Sequence, residues 1–292
     1  DAFEVDGIED GGMIEYLTRK KEEGRFPVYQ TTERPDRAAQ AILEGRVVLL
    51  TDNSPEALIF PATLNSLFQT ADDYYRNERI VTFLRLIRYV AAFLALALPG
   101  LYVAAATFHP QLLPSNLIRS MAEARSGVPF PTAAEVLLME LSFELLREAG
   151  LRMPGPAGNT IGIVGGLIVG QAAVSANLVS PITVTVAALT ALGSFSIPNE
   201  ELSEVFRLWK YGILLLGSCF GILGVMLGCF LLLMLMAEQE SYGIPWLYPY
   251  VGGNLNERAD EKDSMFLAAA RKRKRRPIFA KWGNRIRFRR KS

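Results

Sequence analysis

The stretch that decides the fold runs from Met153 to Asn199 and contains Ile161-Gly-Ile-Val-Gly-Gly-Leu-Ile-Val-Gly-Gln171, Asn177-Leu-Val-Ser-Pro181 and Ile182-Thr-Val-Thr-Val-Ala187. It holds no Asp, Glu, Lys, Arg or His, and its length is about twice the roughly 20 apolar residues that one membrane-spanning helix needs. The Asn-Leu-Val-Ser-Pro segment is typical of a turn, because proline disfavours helix directly before it. We therefore predict two antiparallel membrane helices, Ile161–Ala176 and Ile182–Ile197.

Two further runs are apolar enough to indicate membrane spans, and they cover Tyr89–Phe108 and Tyr211–Ala237. The first follows a cluster of arginines that ends at Arg88, and many cations also follow Tyr242. Because cations favour the cytoplasmic side of a membrane, we predict that both ends are cytoplasmic and that the number of spans is even. The predicted fold class is therefore a mainly α membrane protein, a polytopic helical bundle with about four full spans.

The residues before the first apolar run predict a small cytosolic α/β piece. Thr32-Glu-Arg-Pro-Asp-Arg is typical of a helix start, and Gly45 is typical of a helix end. The runs Arg46–Leu50 and Ala57–Phe60 predict a strand, a turn and a second strand. Since the sequence starts at Asp1, we expect more of this domain to precede it. The predicted parts are the C-terminal part of a cytosolic α/β domain (residues 1–75), a transmembrane helical domain (76–250) and a basic cytoplasmic tail (251–292).

An acidic helix is predicted between Thr132 and Ala149, because carboxylates recur there on one helical face. They are Glu140, Glu144 and Glu148. One interpretation is an amphipathic helix at the membrane interface with a solvated acidic face. The other is a re-entrant helix whose acidic face lines a water-filled cavity or a cation path, because a buried carboxylate needs water, a partner or an ion.

The C-terminal tail is strongly basic, although the formal net charge of the whole chain is only +1. Its densest cluster consists of Arg271, Lys272, Arg273, Lys274, Arg275 and Arg276. The interpretation we favour is binding to an anionic membrane surface, since each cation near such a surface contributes about 1 kcal/mol. Nucleic-acid contact and an inert solubilising end are the alternatives. We therefore expect membrane lipid as a partner and no nucleic acid.

The composition gives little support for enzymatic chemistry. The chain has 1 His and 2 Cys, and no nucleophile–base pair, phosphate loop or metal-ligand spacing occurs in it. The two cysteines, Cys219 and Cys229, would lie about 15 Å apart along a helix, which is too far for a disulfide. We therefore expect no enzymatic activity, no catalytic residue, no cofactor and no metal site.

Several short motifs follow one another along most of the chain. They include Phe26-Pro-Val-Tyr-Gln-Thr-Thr-Glu-Arg-Pro-Asp-Arg, Asp73-Tyr-Tyr, Pro99-Gly-Leu-Tyr-Val, Gly127-Val-Pro-Phe-Pro, Glu144-Leu-Leu-Arg-Glu-Ala-Gly, Ile163-Val-Gly-Gly-Leu-Ile-Val-Gly-Gln-Ala-Ala, Val179-Ser-Pro and Tyr242-Gly-Ile-Pro. In type and order they resemble the GerA family of spore germination proteins. This family contains the A subunits of nutrient germinant receptors and a close paralogue in the stage V sporulation A group.

The resemblance implies a polytopic protein of the spore inner membrane, with the N-terminal domain and the C-terminal tail in the cytoplasm. It also implies a homo-oligomer, arranged as a ring around a central ion pathway. The partners that it implies are a multi-spanning receptor B subunit and a lipid-anchored C subunit. The implied function is that of a germinant receptor subunit whose cation-conducting pathway triggers spore germination.

If several copies surround a pore for monovalent cations, the first helix of the predicted hairpin is the candidate lining. The candidate pore residues are Gly162, Gly165, Gly166, Val169, Gly170 and Gln171. Val169 would be an apolar constriction that gates by dewetting, and Glu140 and Glu144 would form an acidic ring that favours cations. Alternatively, the glycines only allow close helix packing. The subunit would then be a non-conducting scaffold that passes a signal to a separate channel, or a transporter with interrupted helices.

Overall fold

Most of the described residues lie in α-helices, and a small sheet lies near the N-terminal end. The structure is a computed structural model that describes residues 11–18, 26–52, 54–152, 156–251, 263–269 and 277–280. The predicted mainly α class with a small α/β piece is therefore confirmed. The described residues fall into two compact units, of which the first lies within Asp1–Tyr89, Ile197–Val205 and Leu233–Ser292, and the second within Val90–Ser196 and Phe206–Leu232.

The first unit contains a three-stranded antiparallel sheet with the strand order β1-β3-β2. Its early elements are α1 (Gly11–Thr18), β1 (Gln30–Thr32), α2 (Pro35–Glu44), β2 (Val47–Leu50), β3 (Ala57–Phe60) and α3 (Leu64–Phe68). The helix α2 and the strands β2 and β3 confirm the sequence prediction. The strand β1 was not predicted, because Gln30-Thr-Thr is polar and shows no apolar alternation.

The end of α2 is shaped by Gly45, whose φ of +92° lies in the left-handed region that favours glycine. A Cβ atom at this position would lie only 2.6 Å from the Cα atom of Ala280. Next to it, the Arg46 guanidinium lies over the Phe279 ring, 4.4 Å from the ring centroid. Burial lowers the pKa of Arg46 to about 10. Residues 277–280 therefore pack closely on the end of α2.

Residues after the long helices complete the core of the first unit. The strands β4 (Glu240–Ser241) and β5 (Ile244–Pro245) pair as a short antiparallel hairpin, and the turn residue Tyr242 has a φ of 51°. Trp246 follows them and is fully buried, with 0% of its surface exposed. Its Nε1 atom donates a hydrogen bond of 2.9 Å to the backbone oxygen of Pro27.

In the described part of the chain, seven longer helices follow α3. They are α4 (Glu78–Thr107), α5 (Ser115–Arg125), α6 (Thr132–Leu151), α7 (Pro156–Ser175), α8 (Pro181–Phe195), α9 (Glu200–Phe220) and α10 (Ile222–Glu238). The predicted break between α7 and α8 is confirmed: Asn177 has a φ of 52°, and the Ser180 hydroxyl caps α8 by accepting a hydrogen bond from the backbone N–H of Thr183. The helix α4 continues through Pro99.

One helix in the described part of the chain, α4, is long and apolar enough to cross a membrane. Shorter apolar helices are α8, α10 and the segment Gly165–Ser175 of α7. The structure therefore confirms a helical protein with one candidate span, and it does not confirm the four full spans that the sequence predicts.

The prediction of a single helix from Tyr211 to Ala237 is wrong, because the chain turns at Gly221. This residue has a φ of +64° and separates α9 from α10. Beyond it α10 returns along α9, since a Cβ atom on Gly224 would lie 2.0 Å from the Leu216 backbone oxygen and one on Gly228 would lie 2.9 Å from the Ile213 side chain. Gly224 and Gly228 therefore allow close contact between the two arms of a hairpin.

Candidate functional site

The acidic face of α6 is paired with cations of α9 in the second unit. Lys210 Nζ donates a hydrogen bond of 2.6 Å to Glu140 Oε2, and the two side chains are only 6% and 2% exposed. Glu144 pairs with Arg207 one helical turn further along α6. Since Arg207 lies three residues before Lys210, the two pairs also show that α6 and α9 run antiparallel. Both inner carboxylates of the predicted face thus have a protein partner.

The third carboxylate of that face lies in a different environment. The side chain of Glu148 is 57% exposed, and it pairs with Arg152 of the next helical turn at 2.7 Å. Arg147, beside it in sequence, points toward α8: its Nη2 atom donates a hydrogen bond of 2.9 Å to the Ser194 hydroxyl, and its guanidinium lies 4.0 Å from the centroid of the Phe195 ring. Exposure therefore increases along the acidic face, from 2% at Glu140 through 35% at Glu144 to 57% at Glu148.

A second buried carboxylate of α6, Glu135, was not singled out by the sequence. It is 0% exposed, and its Oε1 atom accepts a hydrogen bond of 3.1 Å from Arg125 Nε of α5. Its Oε2 atom accepts hydrogen bonds from the backbone N–H of Ser180, at 2.9 Å, and from the Thr183 hydroxyl, at 3.1 Å. One side chain thereby joins α5, α6 and the first turn of α8. Glu135 lies on another face of the helix than Glu140, so the helical periodicity did not group them.

The glycines of α7 that were predicted as pore lining face neighbouring helices. A Cβ atom on Gly165 would lie 2.8 Å from the Leu146 side chain of α6, and one on Gly170 would lie 3.3 Å from the Val184 side chain of α8. Gly166 similarly faces the Phe143 ring at 3.5 Å. These three positions allow close packing within the second unit.

The remaining pore candidates differ in exposure. Val169 is half-buried and Gln171 is exposed, whereas the surroundings of Gly162 fall outside the described residues. The membrane-surface cluster from Arg271 to Arg276 also lies outside the described residues. A role of these positions in a pore or at a membrane stays a prediction.

The first unit has its own buried ionic cluster around Asp73, whose side chain is 2% exposed. The carboxylate pairs with Arg85 at 3.1 Å and with Arg88 at 2.9 Å. Burial alone would raise the pKa of Asp73, but hydrogen bonds from Arg88 and Thr70 and the charges of both arginines outweigh it, so the pKa lies below its ordinary value. The sequence predicted Arg85 and Arg88 only as cations at the membrane edge, whereas in the structure both form ion pairs with Asp73.

The tail contributes to the same cluster. Arg85 Nη1 lies 3.0 Å from Asp263 Oδ1 and donates a hydrogen bond of 2.7 Å to the Ser264 backbone oxygen. Tyr74 also donates a hydrogen bond to Asp263, at 3.2 Å. This arrangement was beyond the reach of sequence patterns, because Arg85 and Asp263 are 178 residues apart.

The described residues contain no group of three His, Cys, Asp or Glu side chains that could hold a metal ion. Cys219 is exposed and Cys229 is half-buried, and both are free thiols. The polar contacts described above in the second unit are ion pairs and hydroxyl hydrogen bonds that join helices.

Comparison with known proteins identifies the family. A family profile described as "Bacillus/Clostridium GerA spore germination protein" matches residues 1–279. The chain belongs to the GerA family. The resemblance found in the motifs is therefore confirmed, and the match extends from the α/β piece through the helices into the tail.

Several curated relatives of this GerA protein are similar over most of its length. Spore germination protein A1 of Bacillus subtilis (strain 168) is 40% identical over 247 residues, which are 85% of this chain and 51% of the relative. Spore germination protein GerLA of Bacillus cereus is 41% identical over 245 residues, which are 84% of this chain and 50% of the relative. The chain thus spans about half the length of the curated relatives it matches.

The name of another relative provides evidence on the cellular location of this protein. The uncharacterized membrane protein YfkQ of Bacillus subtilis (strain 168) is 41% identical over 267 residues, which are 91% of this chain and 51% of the relative. That name and the family assignment together support a membrane location for this GerA protein. No solved structure matches the chain.

Proposed function

We propose that this GerA protein is the A-type subunit of a nutrient germinant receptor in the spore inner membrane, and that several copies of it form a pathway for monovalent cations. The observation that carries the proposal is a large exposed apolar surface on the helices of the second unit. Exposed side chains there include Phe93, Ile168, Leu192, Leu215, Leu223 and Phe230. Because soluble monomers rarely expose such surfaces, lipid and other copies of the chain are the expected neighbours.

A polytopic arrangement with about four spans is part of this proposal. Ile197–Val205 and Leu233–Ser292 belong to the same unit as the N-terminal residues. The chain therefore leaves the first unit twice and returns twice, which supports an even number of membrane crossings with both ends in the cytoplasm. In this arrangement α4 is the longest span, and the shorter helices α8 and α10 cross among other helices.

The exposed face of α7 supports the assignment of the pathway to this helix. Ile168, Gln171 and Ser175 recur at helical spacing on one face and are all exposed. In a ring of copies this face lines the axis, where Gln171 supplies a polar contact. Val169, half-buried at the edge of this face, supplies the apolar constriction.

Partners of the receptor follow from the family. We propose a B subunit and a C subunit as partners, and anionic lipid as the partner of the basic cluster from Arg271 to Arg276. The proposal assigns no catalytic step to this chain.

A non-conducting scaffold is the second candidate function, and one observation favours it. Glu140 and Glu144, which would form the acidic ring of a cation path, are paired with Lys210 and Arg207. Ion pairs of this kind fix α6 against α9 and compensate the negative charges that would attract a passing cation. A scaffold would pass a conformational signal to a separate channel.

Flux measurements separate the two functions. We expect the purified full-length protein, reconstituted in liposomes, to release trapped potassium, and we expect the variant Gln171→Leu to release it more slowly. The variant Gln40→Leu, in α2 of the first unit, serves as a matched control and should leave the flux unchanged. Absence of flux from a correctly inserted oligomer would exclude conduction and support the scaffold.

A further inference from the structure

A polar cleft of about 270 Å³ lies in the first unit and has no part in the proposed ion pathway. Its lining comes from β1, the first turns of α2, the residues around Thr70 and the residues just before α9. Small-molecule sites usually measure about 300 to 1,000 Å³, so this cleft suits a ligand at the small end of that range.

The cleft contains a buried cation, Arg37, which is only 6% exposed. Within the described residues its side chain makes one hydrogen bond, a long one of 3.4 Å from Nη2 to Gln30 Oε1, and it forms no ion pair. A guanidinium has five N–H donors. No nitrogen of Arg37 is among the fully buried side-chain atoms that lack a hydrogen-bond partner, so the remaining N–H donors are open to an acceptor in the cleft that Arg37 lines.

The carboxylates of the same helix do not compensate Arg37, because each has another partner. Asp36 pairs with Arg34 at 2.9 Å. Glu44, at the other end of α2, lies 3.7 Å from the guanidinium of Arg46. The carboxylates of α2 therefore do not pair with Arg37, and a ligand that enters the cleft can accept hydrogen bonds from its guanidinium.

The rim of the cleft limits the charge of that ligand. Asp72 lines the cleft with a side chain that is 57% exposed, and it shares Arg34 with Asp36. One arginine thus faces two carboxylates, and the rim keeps an excess of negative charge. A ligand with a single negative charge is repelled less here than one with two.

We propose that this cleft binds a small monocarboxylate whose carboxylate group accepts hydrogen bonds from Arg37. The planar guanidinium matches a carboxylate with two parallel N–H bonds, and such charge-assisted bonds are strong. Gln30, Thr31 and Asn199 line the same cleft and carry further amide or hydroxyl groups for the polar part of a ligand. Binding supplies the buried cation with a charged acceptor that the described residues do not provide.

Ligand-observed NMR on the full-length protein in detergent micelles tests the proposal. Propionate is the probe, propionamide is its neutral counterpart, and methylphosphonate represents phosphate-type anions, all at matched ionic strength. We expect saturation transfer to propionate only, and we expect Arg37→Gln to weaken its binding by about 10- to 100-fold, the effect of losing hydrogen bonds to a charged group.

Control variants make the outcome decisive. Arg76→Gln removes an exposed arginine of the same unit and should leave propionate binding unchanged. Arg37→Lys keeps the charge without the planar fork and should give intermediate binding. Equal signals from propionate and propionamide, preferred binding of methylphosphonate, or unchanged propionate binding in folded Arg37→Gln would each overturn the proposal.

Discussion

The ammonium of Lys210 lies 2.6 Å from Glu140 Oε2, and this contact joins α9 to α6 inside the second unit. Both side chains are almost completely removed from solvent. Removing one member of such a pair leaves the other charge buried without compensation, which is far more costly than losing the attraction itself. The pair therefore makes the packing of α6 on α9 sensitive to a single substitution.

Replacing Glu140 by Gln should lower the free energy of unfolding by about 3–5 kcal/mol, because Lys210 stays buried without a carboxylate. The double variant Glu140→Leu with Lys210→Leu should recover most of this loss. Thermal or denaturant unfolding of the full-length protein in micelles measures both effects. Glu148→Gln, on the exposed end of the same helix, is the matched control and should change stability by less than about 0.5 kcal/mol. Equal effects at the two glutamates would contradict a structural role of the buried pair.

Replacing Gly224 by Ala should destabilise the hairpin of α9 and α10. The new Cβ atom would lie 2.0 Å from the backbone oxygen of Leu216, so the two arms have to move apart. We expect a loss of about 1–3 kcal/mol in the free energy of unfolding. Gly212→Ala is the control: nothing lies within 4 Å of its Cβ position, and alanine is favoured over glycine in a helix by about 1 kcal/mol. A stable Gly224→Ala variant would show that the arms are not in close contact.

Acidification should weaken the first unit through Asp73. Since its pKa is lowered in the folded protein, the carboxylate contributes stability above its unfolded pKa of about 3.9, and this contribution is lost as the pH falls through the folded pKa. The variant Asp73→Asn should therefore be less stable at neutral pH and lose less stability between pH 7 and about pH 3. Unfolding curves at several pH values measure the difference. Asp52→Asn, at an exposed position, should follow the parent curve, and a parallel curve for Asp73→Asn would refute the prediction.

Replacing Val169 by Ala should widen the proposed constriction. Spores that carry this variant are expected to leak monovalent cations and to germinate without nutrient, because an apolar gate closes by excluding water and a smaller side chain excludes it less well. Potassium release and loss of optical density report the two effects. Val174→Ala deletes the same atoms from a position that packs against the core around Met139 and Ala173, so it should leave dormancy intact. Normal dormancy in Val169→Ala spores would exclude the constriction.

Local sequence signals located most helices correctly. The start predicted at Thr32-Glu-Arg-Pro-Asp-Arg and the end predicted at Gly45 match the bounds of α2, because proline at a helix start and glycine at a helix end act within one turn. The single helix predicted across Gly221 failed for a physical reason. Hydropathy reports only that these residues are apolar, and it does not detect a glycine with positive φ that reverses the chain.

The polar sites were predicted less completely than the helices. Periodicity placed Glu140 and Glu144 on one face of α6, and the structure agrees, but their partners Lys210 and Arg207 lie 70 and 63 residues later in the chain. The same holds for the cleft at Arg37, whose lining also includes the distant residues Pro198 and Asn199. Helical spacing shows which side chains share a face, whereas their partners depend on tertiary packing.

The contact between Arg85 and Asp263 can form only after Asp263 has been synthesised, so it forms late in the folding of this protein. Asp263 follows Arg85 by 178 residues, so at a synthesis rate of about 5–20 residues per second the ribosome adds it roughly 9 to 36 seconds later. During that interval Asp73 is the acidic partner already synthesised for this guanidinium. The first turns of α4 therefore reach their final environment only after Asp263 and Ser264 have been synthesised, so the N-terminal unit is completed late relative to its own synthesis.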